Sequence, residues 1–387
     1  MADSPVNPEV LRWAREAAGL SVDDVVEKIN RKRVTVETVV AWEDGTDSPT
    51  YPQLERLAYE IYKRPLAVFF FPDPPDESTP RQSFRTLPDY EIEAMPSRVR
   101  FLLRKARALQ LNLEELYDGV NPCERRVVRE LSFEPDVPAD VMAQAVRDSL
   151  DVSLDEQFDR YDAEDAFKHW REKLESVGVA VFKDAFREDS FSGFCLYDET
   201  FPLIYVNNSK PFVRQSFTLF HELAHLLFHT GGIDTNLADY IDHLAGDHRR
   251  IEILCNRFAG EFLVPSEDFD ARAAGLQVDE QTLLNLAETY HVSREVILRK
   301  FRDRGAVSQE YYDERVAAWR QSVTPRLPGG DYYNNMGVYL SEPYLVKAFS
   351  RYRQNQIGIE QLADYLGVKV KSVPGMEARL LRRSGAA

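Results

Sequence analysis

Cysteine is scarce in this chain of 387 residues. Cys123, Cys195 and Cys255 are odd in number, widely spaced and form no C-x-x-C pair. That excludes a disulfide framework and fits a reducing compartment. The first ten residues, MADSPVNPEV, lack the basic start and apolar centre of a signal peptide. The longest compact apolar run, Leu66 to Phe71, falls far short of a membrane span. We therefore expect a soluble, cytoplasmic protein with no membrane partner. Positive charge is also in deficit, with 48 Lys and Arg against 64 Asp and Glu and a formal net charge of −16. A field of that sign does not hold a protein to nucleic acid, so DNA binding would need a local basic face. Repeats and low-complexity tracts are missing, and 44% hydrophobic residues argue against extended disorder. The length suffices for two or three domains.

What is present is mostly helical patterning. Asn7 or Pro8 opens a first helix that Gly19 closes, and Ser21 caps a second with Asp23 and Asp24 in its first turn. A third runs from about Thr35 to Asp44, and a fourth starts near Thr50 with Leu54, Leu57, Ala58 and Ile61 on one stripe. Short helices with tight turns suit a helix-turn-helix domain. A Pro-rich acidic linker follows at 71–80, then a longer helix from about Ser97 to Tyr117. Residues 98–129 hold eight Lys/Arg against four Asp/Glu, whereas 130–165 hold twelve Asp/Glu against two Arg. The acidic stretch would pair with the basic helix before it or turn acidic substrates away. A helix is expected at 163–177, then strands at Val179–Phe182, Gly193–Tyr197 and Pro202–Val206, then helices to about Trp319 and two more near 341–353 and 359–367. The fold class is α+β, mostly helical, with a small sheet of about three strands. The expected domains are 1–72, a connecting region 73–130, a second domain 131–320 and a helical C-terminal region 321–387.

The strongest chemical signal is His221-Glu222-Leu223-Ala224-His225, an H-E-x-x-H motif in an apolar helical run. Two histidines four residues apart share a helix face and can bind one Zn²⁺, with Glu222 placed to act on a water. The plain alternative is a core or surface pair of histidines. A catalytic zinc needs a third ligand, and Glu252 lies 27 residues after His225 within a buried-helix pattern. A buried carboxylate is costly unless paired or metal-bound. The alternative for Glu252 is an exposed acid paired with Arg249 or Arg257. Asn256, one turn further on, could accept a hydrogen bond from the second nitrogen of a ligand histidine. In a peptidase Glu222 would take the water proton and pass it to the leaving amine. Tyr205, Tyr240, His243 and His248 are candidates for stabilising the oxyanion. His229, one turn past His225, is expected on the helix face rather than at the metal.

The stretch Tyr205-Val206-Asn207, Arg214 to Thr218, the H-E-x-x-H itself and Glu252 to Ala259 together resemble the ImmA/IrrE family of zinc metallopeptidases. That family pairs H-E-x-x-H with a downstream E-x-x-x-N-x-F-A helix. The resemblance implies His221, His225 and Glu252 as zinc ligands, Glu222 as catalytic acid and base, and Zn²⁺ as cofactor. Ala224 and Cys255 stand where the family often has glycine and alanine.

Ser21 to Phe71 resembles the helix-turn-helix domain of Xre-type repressors, through Thr35 to Pro49 in particular. The run Lys63 to Pro72 and the later Ser83-Phe84-Arg85 recur in fusions of that module to ImmA/IrrE peptidases. Candidate DNA contacts are Arg31, Lys32 and Arg33, with Thr35, Glu37 and Thr38 at the start of the third helix. Residues 1–70 nevertheless carry nine Lys/Arg against twelve Asp/Glu, so docking of a protein partner or of the chain's own peptidase domain is the alternative. The tail resembles the C-terminal part of longer family members, often encoded beside phage, mobile-element or toxin–antitoxin genes. The expected function is a zinc endopeptidase that cleaves a regulatory protein such as a repressor. The competing expectation is a transcriptional regulator or antitoxin that acts by binding operator DNA or a cognate toxin.

Overall fold

The structure, a computed structural model, describes residues 6–31, 33–77, 92, 95–235, 246–321 and 339–384. The chain divides into two compact units, Met1–Lys105 and Ala106–Ala387. The division falls inside a single helix, Ser97–Leu116.

The first unit begins with α1 (Pro8–Ala17), α2 (Val22–Ile29), α3 (Val36–Glu43) and α4 (Tyr51–Glu55), the last continuing as a π-helical segment, Arg56–Tyr62. Each start has its expected cap chemistry. Asn7 accepts from the Glu9 amide, and Ser21 with Asp24 and Thr35 with Thr38 form capping boxes. Such caps contribute about 1 kcal/mol each. Val10, Ala14, Val25, Ile29, Val39 and Trp42 share one core. Arg15 of α1 forks onto the buried Glu43 of α3 at 2.7 and 2.9 Å. That pair fixes the two helices in register.

The second unit is built round a mixed sheet of β1 (Ala180–Asp184), β2 (Phe191–Leu196), β3 (Leu203–Asn207) and β4 (Ile233–Thr235), in the order β1-β3-β2-β4. The three expected strands are all present, and a fourth, three residues long, joins the edge. β1 runs parallel to β3, and β2 is antiparallel to β3 and β4. Register places Val181, Cys195 and Ile204 on one face and Phe182, Phe194 and Tyr205 on the other. The shared helix is α5 (Ser97–Leu116); α6 (Ala139–Leu150), α7 (Ala163–Ser176), α8 (Phe212–Leu227) and α9 (Gly246–Leu263) follow in chain order. The first sheet face joins a core with Trp170 of α7, Leu219 and Leu223 of α8, and Phe258 of α9. The second face meets the C-terminal helices, where Phe182 packs edge-on against Tyr344 at 5.4 Å. With both faces covered, the strands read as continuous apolar runs rather than alternating ones.

Further helices are α10 (Ser266–Ala273), α11 (Glu280–Tyr290), α12 (Arg294–Asp303), α13 (Gln309–Gln321), α14 (Glu342–Arg353), α15 (Ile359–Leu366) and α16 (Val373–Ser384). The last was not expected. Pro374 and Gly375 look like helix breakers in sequence, yet both lie in its first turn, where proline is tolerated. Among the described residues no helix is long and apolar enough to cross a membrane.

Candidate metal centre

α8 carries the H-E-x-x-H motif and is buried almost all round. Leu219, Phe220, Leu223, Leu226 and Leu227 are wholly enclosed, each worth about 1.5–3 kcal/mol of burial. A helix enclosed on nearly every side lies at the centre of a fold rather than on its surface. It approaches the sheet closely at Gly193 of β2, where a Cβ would stand 2.5 Å from the Thr218 methyl. The backbone leaves the helix at His229, which has a left-handed φ of 57°. The His229 ring packs on Tyr197, 5.0 Å between centroids. It lies past the end of α8 rather than on its face, where the sequence reading put it.

His221 and His225 emerge from α8 beside Glu252 of α9, all three buried. The two Nε2 atoms are 3.2 Å apart; Glu252 Oε1 is 3.2 Å from His225 Nε2, and its Oε2 is 3.5 Å from His221 Nε2. Ligands about 2.1 Å from a tetrahedral zinc are themselves about 3.4 Å apart. One carboxylate oxygen faces each histidine, the donor atoms lie within 4.8 Å of one another, and the donor set of two imidazoles and one carboxylate fits zinc. Burial alone would lower the His225 pKa, but neighbouring Cys255 and Glu252 outweigh it and raise it well above the ordinary value.

Glu222, next along α8, is fully buried. It stands against Cys195 of β2, whose thiol is pushed well above its usual pKa by burial and then by the Glu222 charge. Cys195 Sγ also accepts the Gly232 amide at 3.2 Å, and the Cys195 amide donates to the Gly232 carbonyl at 3.0 Å. A Cβ at Gly232 would lie 2.3 Å from His225 Cδ2, so the chain passes flat against that imidazole. Cys255 of α9 faces His225 from the other helix; burial pushes its thiol up to about 11 although His225 draws it down. Cys195, Gly232 and Cys255 were not among the sequence-based site residues. The contacts that give them their place join a strand, a loop and a second helix, and no local spacing encodes them.

Asn256 takes a different role from the one expected. Its Nδ2 donates to the Glu252 carbonyl at 3.1 Å, within its own helix. It steadies the turn that carries Glu252 rather than reaching a histidine. Tyr205 points to the sheet face away from α8, where its ring stacks on Phe194 and its hydroxyl donates to Asp184 at 3.4 Å. It is thus removed from the oxyanion candidates. Tyr240, His243 and the His248 side chain lie outside the described residues.

In the first unit Arg31 and Arg33 are exposed ahead of α3, and Lys32 lies outside the described residues. Thr35 and Thr38 exchange their hydrogen bonds in the capping box, with 3.4 Å from the Thr38 amide to Thr35 Oγ1. The Thr35 hydroxyl also bonds Glu37, holding that carboxyl below its usual range.

Two histidines and a glutamate brought together on two packed helices are a donor set that catalytic zinc sites use. Residues 174–302, from the end of α7 into α12, match the model of the M78 peptidase family, the IrrE N-terminal-like domain. The match covers about a third of the chain and includes every residue of the cluster. No curated protein matches the chain.

Proposed function

We propose that the chain is a zinc-dependent endopeptidase of the ImmA/IrrE type, acting on a regulatory protein such as a repressor. The observation that carries the proposal is the buried grouping of His221, His225 and Glu252, two imidazoles and a carboxylate with donor atoms within 4.8 Å of one another. Zinc held there supplies Lewis acidity, lowering the pKa of a water and polarising a carbonyl. The remaining chemistry belongs to the protein. Glu222, one residue along the helix from a ligand, takes the proton of the attacking water and returns it to the leaving amine. Its burial against Cys195 keeps the carboxylate in one place between the two transfers.

The test is cleavage of the protein encoded next to this chain, with zinc content measured alongside. Wild type is expected to bind one zinc and cut. Glu222→Gln is expected to bind one zinc and lose at least 10³-fold in rate. Full activity in Glu222→Gln, or no zinc in the wild type, would sink the proposal.

A second reading concerns the first unit. The exposed Arg31 and Arg33 at the start of α3 support operator binding by a helix-turn-helix coupled to the peptidase. The exposed Val36 and Val40 on the same helix support a protein partner, such as a toxin, instead. A gel shift with the chain's own promoter separates them: binding lost in Arg31→Ala/Arg33→Ala establishes the first.

A further inference from the structure

The C-terminal helices reverse the charge of the chain. Residues 341–384 hold eight Lys and Arg against four Asp and Glu, in a chain whose formal net charge is −16. In this region α14 and α16 leave a groove of about 420 Å³ between them. Phe349 and Leu380 line it and are buried, whereas Val346 and Leu381 line it at 48% and 53% exposure. One exposed aliphatic side chain is ordinary on a protein surface. Two that share a groove with a buried aromatic ring form an apolar site without a cover.

The helix that carries the groove is fixed from its other side. Ser341 caps α14 by accepting the Tyr344 amide at 3.2 Å, and the Tyr344 hydroxyl donates to the Tyr365 carbonyl at 2.9 Å. Arg351 donates twice to the Leu116 carbonyl, at 3.1 and 2.9 Å. Those bonds leave Val346, Ser350 and Arg353, at i, i+4 and i+7, as the stripe that faces the groove. Cations stand along it. Arg353 pairs with Glu377 of α16 at 3.0 Å. Arg382, next to Leu381, is exposed, donates to the Ala378 carbonyl at 3.2 Å and pairs with no carboxylate among the described residues. Lys347, next to Val346, lies over the Tyr117 ring at 5.0 Å.

We infer that the groove between α14 and α16 docks an amphipathic helix of a partner protein, one with apolar side chains along one face and Asp or Glu beside them. The stripe from Val346 to Arg353 rises about 10 Å, two turns of helix, which matches apolar anchors at i, i+3 or i+4 and i+7 of a docked helix. Charge selects the occupant. A second copy meeting this face with its own would set Arg353 and Arg382 against their equivalents, like charge on like. A nucleic-acid backbone would meet the cations but lay phosphates over Val346, Phe349 and Leu381. An acidic, apolar helix satisfies both halves of the surface. The site is separate from the metal centre, and its occupancy does not depend on the peptidase reading.

The experiment uses the full chain and fluorescence anisotropy of labelled Ala-rich peptides about sixteen residues long, blocked at both ends. The first has Leu at three positions spaced i, i+4 and i+7 with Glu beside them. The second has Lys for each Glu, and the third has Ser for each Leu. At low salt the first is expected to bind at least about tenfold tighter than either of the others. Leu381→Ser should weaken it about tenfold and Arg382→Glu severalfold, with unfolding temperature unchanged because both side chains are exposed. Leu284→Ser, at an exposed leucine of α11, should leave binding as it is. Equal affinities for the three peptides, or no binding of any, would overturn the inference. So would full binding in Leu381→Ser. Self-association in sedimentation that Leu381→Ser abolishes would assign the groove to a second copy instead, and binding of duplex DNA that Arg382→Glu abolishes would assign it to nucleic acid; either result overturns the inference.

Discussion

Replacing Lys183 with methionine should make the protein more stable, and by an amount that depends on pH. Lys183 is on β1, 1% exposed, with its ammonium 4.3 Å from the Phe167 ring centre and 5.1 Å from that of Phe212. No described carboxylate forms an ion pair with it. Burial, and then the nearby Arg171, pull its pKa down from 10.5 to about 7. The folded state thus sheds a proton that the unfolded chain keeps up to its ordinary value. In the window between about 7 and 10 the unfolded chain binds more protons, so stability rises with pH across it. Below the folded value the cost is complete, about 5 kcal/mol at pH 6; it falls to about 2 kcal/mol at pH 9 and under about 1 at pH 10. Methionine fills the same space between the two rings with no charge to bury. Urea unfolding of wild type and Lys183→Met at pH 6, 8 and 10 measures the difference, in which other titrating groups largely cancel. Lys168→Met, at an exposed position, is the control. A gain that does not shrink with rising pH, or a loss of stability at pH 6, would refute the reasoning.

Other outcomes follow from the same geometry. Gly232→Ala sets a methyl group against the His225 ring and should weaken zinc binding about 10- to 100-fold in a chelator competition, whereas Gly260→Ala, with open space at its Cβ, should not. Arg15→Ala leaves Glu43 buried without its fork and should cost about 3 kcal/mol, read as faster hydrogen exchange in α1 and α3. A thiol reagent should titrate one cysteine in the native protein, the half-buried Cys123, and three in urea, because Cys195 and Cys255 are enclosed. Three reactive thiols in the native state would mean that the centre opens readily.

The grouping of His221, His225 and Glu252 was legible in sequence because its members follow helix periodicity. Four residues separate the two histidines on one face, and Glu252 is a charge in an otherwise apolar helical pattern. The caps at Asn7 and Ser21 were legible for a similar reason, since cap chemistry acts within one turn. What stayed hidden was non-local. Cys195 and Gly232 meet Glu222 and His225 only when β2 and the loop before β4 fold over α8. Tyr205 looked available until the register showed which side of the sheet it occupies. Thr35 and Thr38 illustrate another limit: the residue types that bond phosphates also cap helices, and here each hydroxyl is used by the other's backbone. Asn256 was given the right neighbourhood and the wrong partner, because asparagine one turn after a residue can also bond that residue's carbonyl.

The proposed ligand triad would also act as a cross-link. His221 and His225 stand on one helix and Glu252 on another, so a metal joining them closes a ring of about thirty residues that includes β4. Closing a ring of that size restricts the unfolded chain by about 3–4 kcal/mol, as a disulfide would. In a chain whose enclosed cysteines form no disulfide, a metal held there would serve as a staple of a different chemistry. Its removal by a chelator would then act twice, withdrawing the Lewis acid and reopening the ring between α8 and α9.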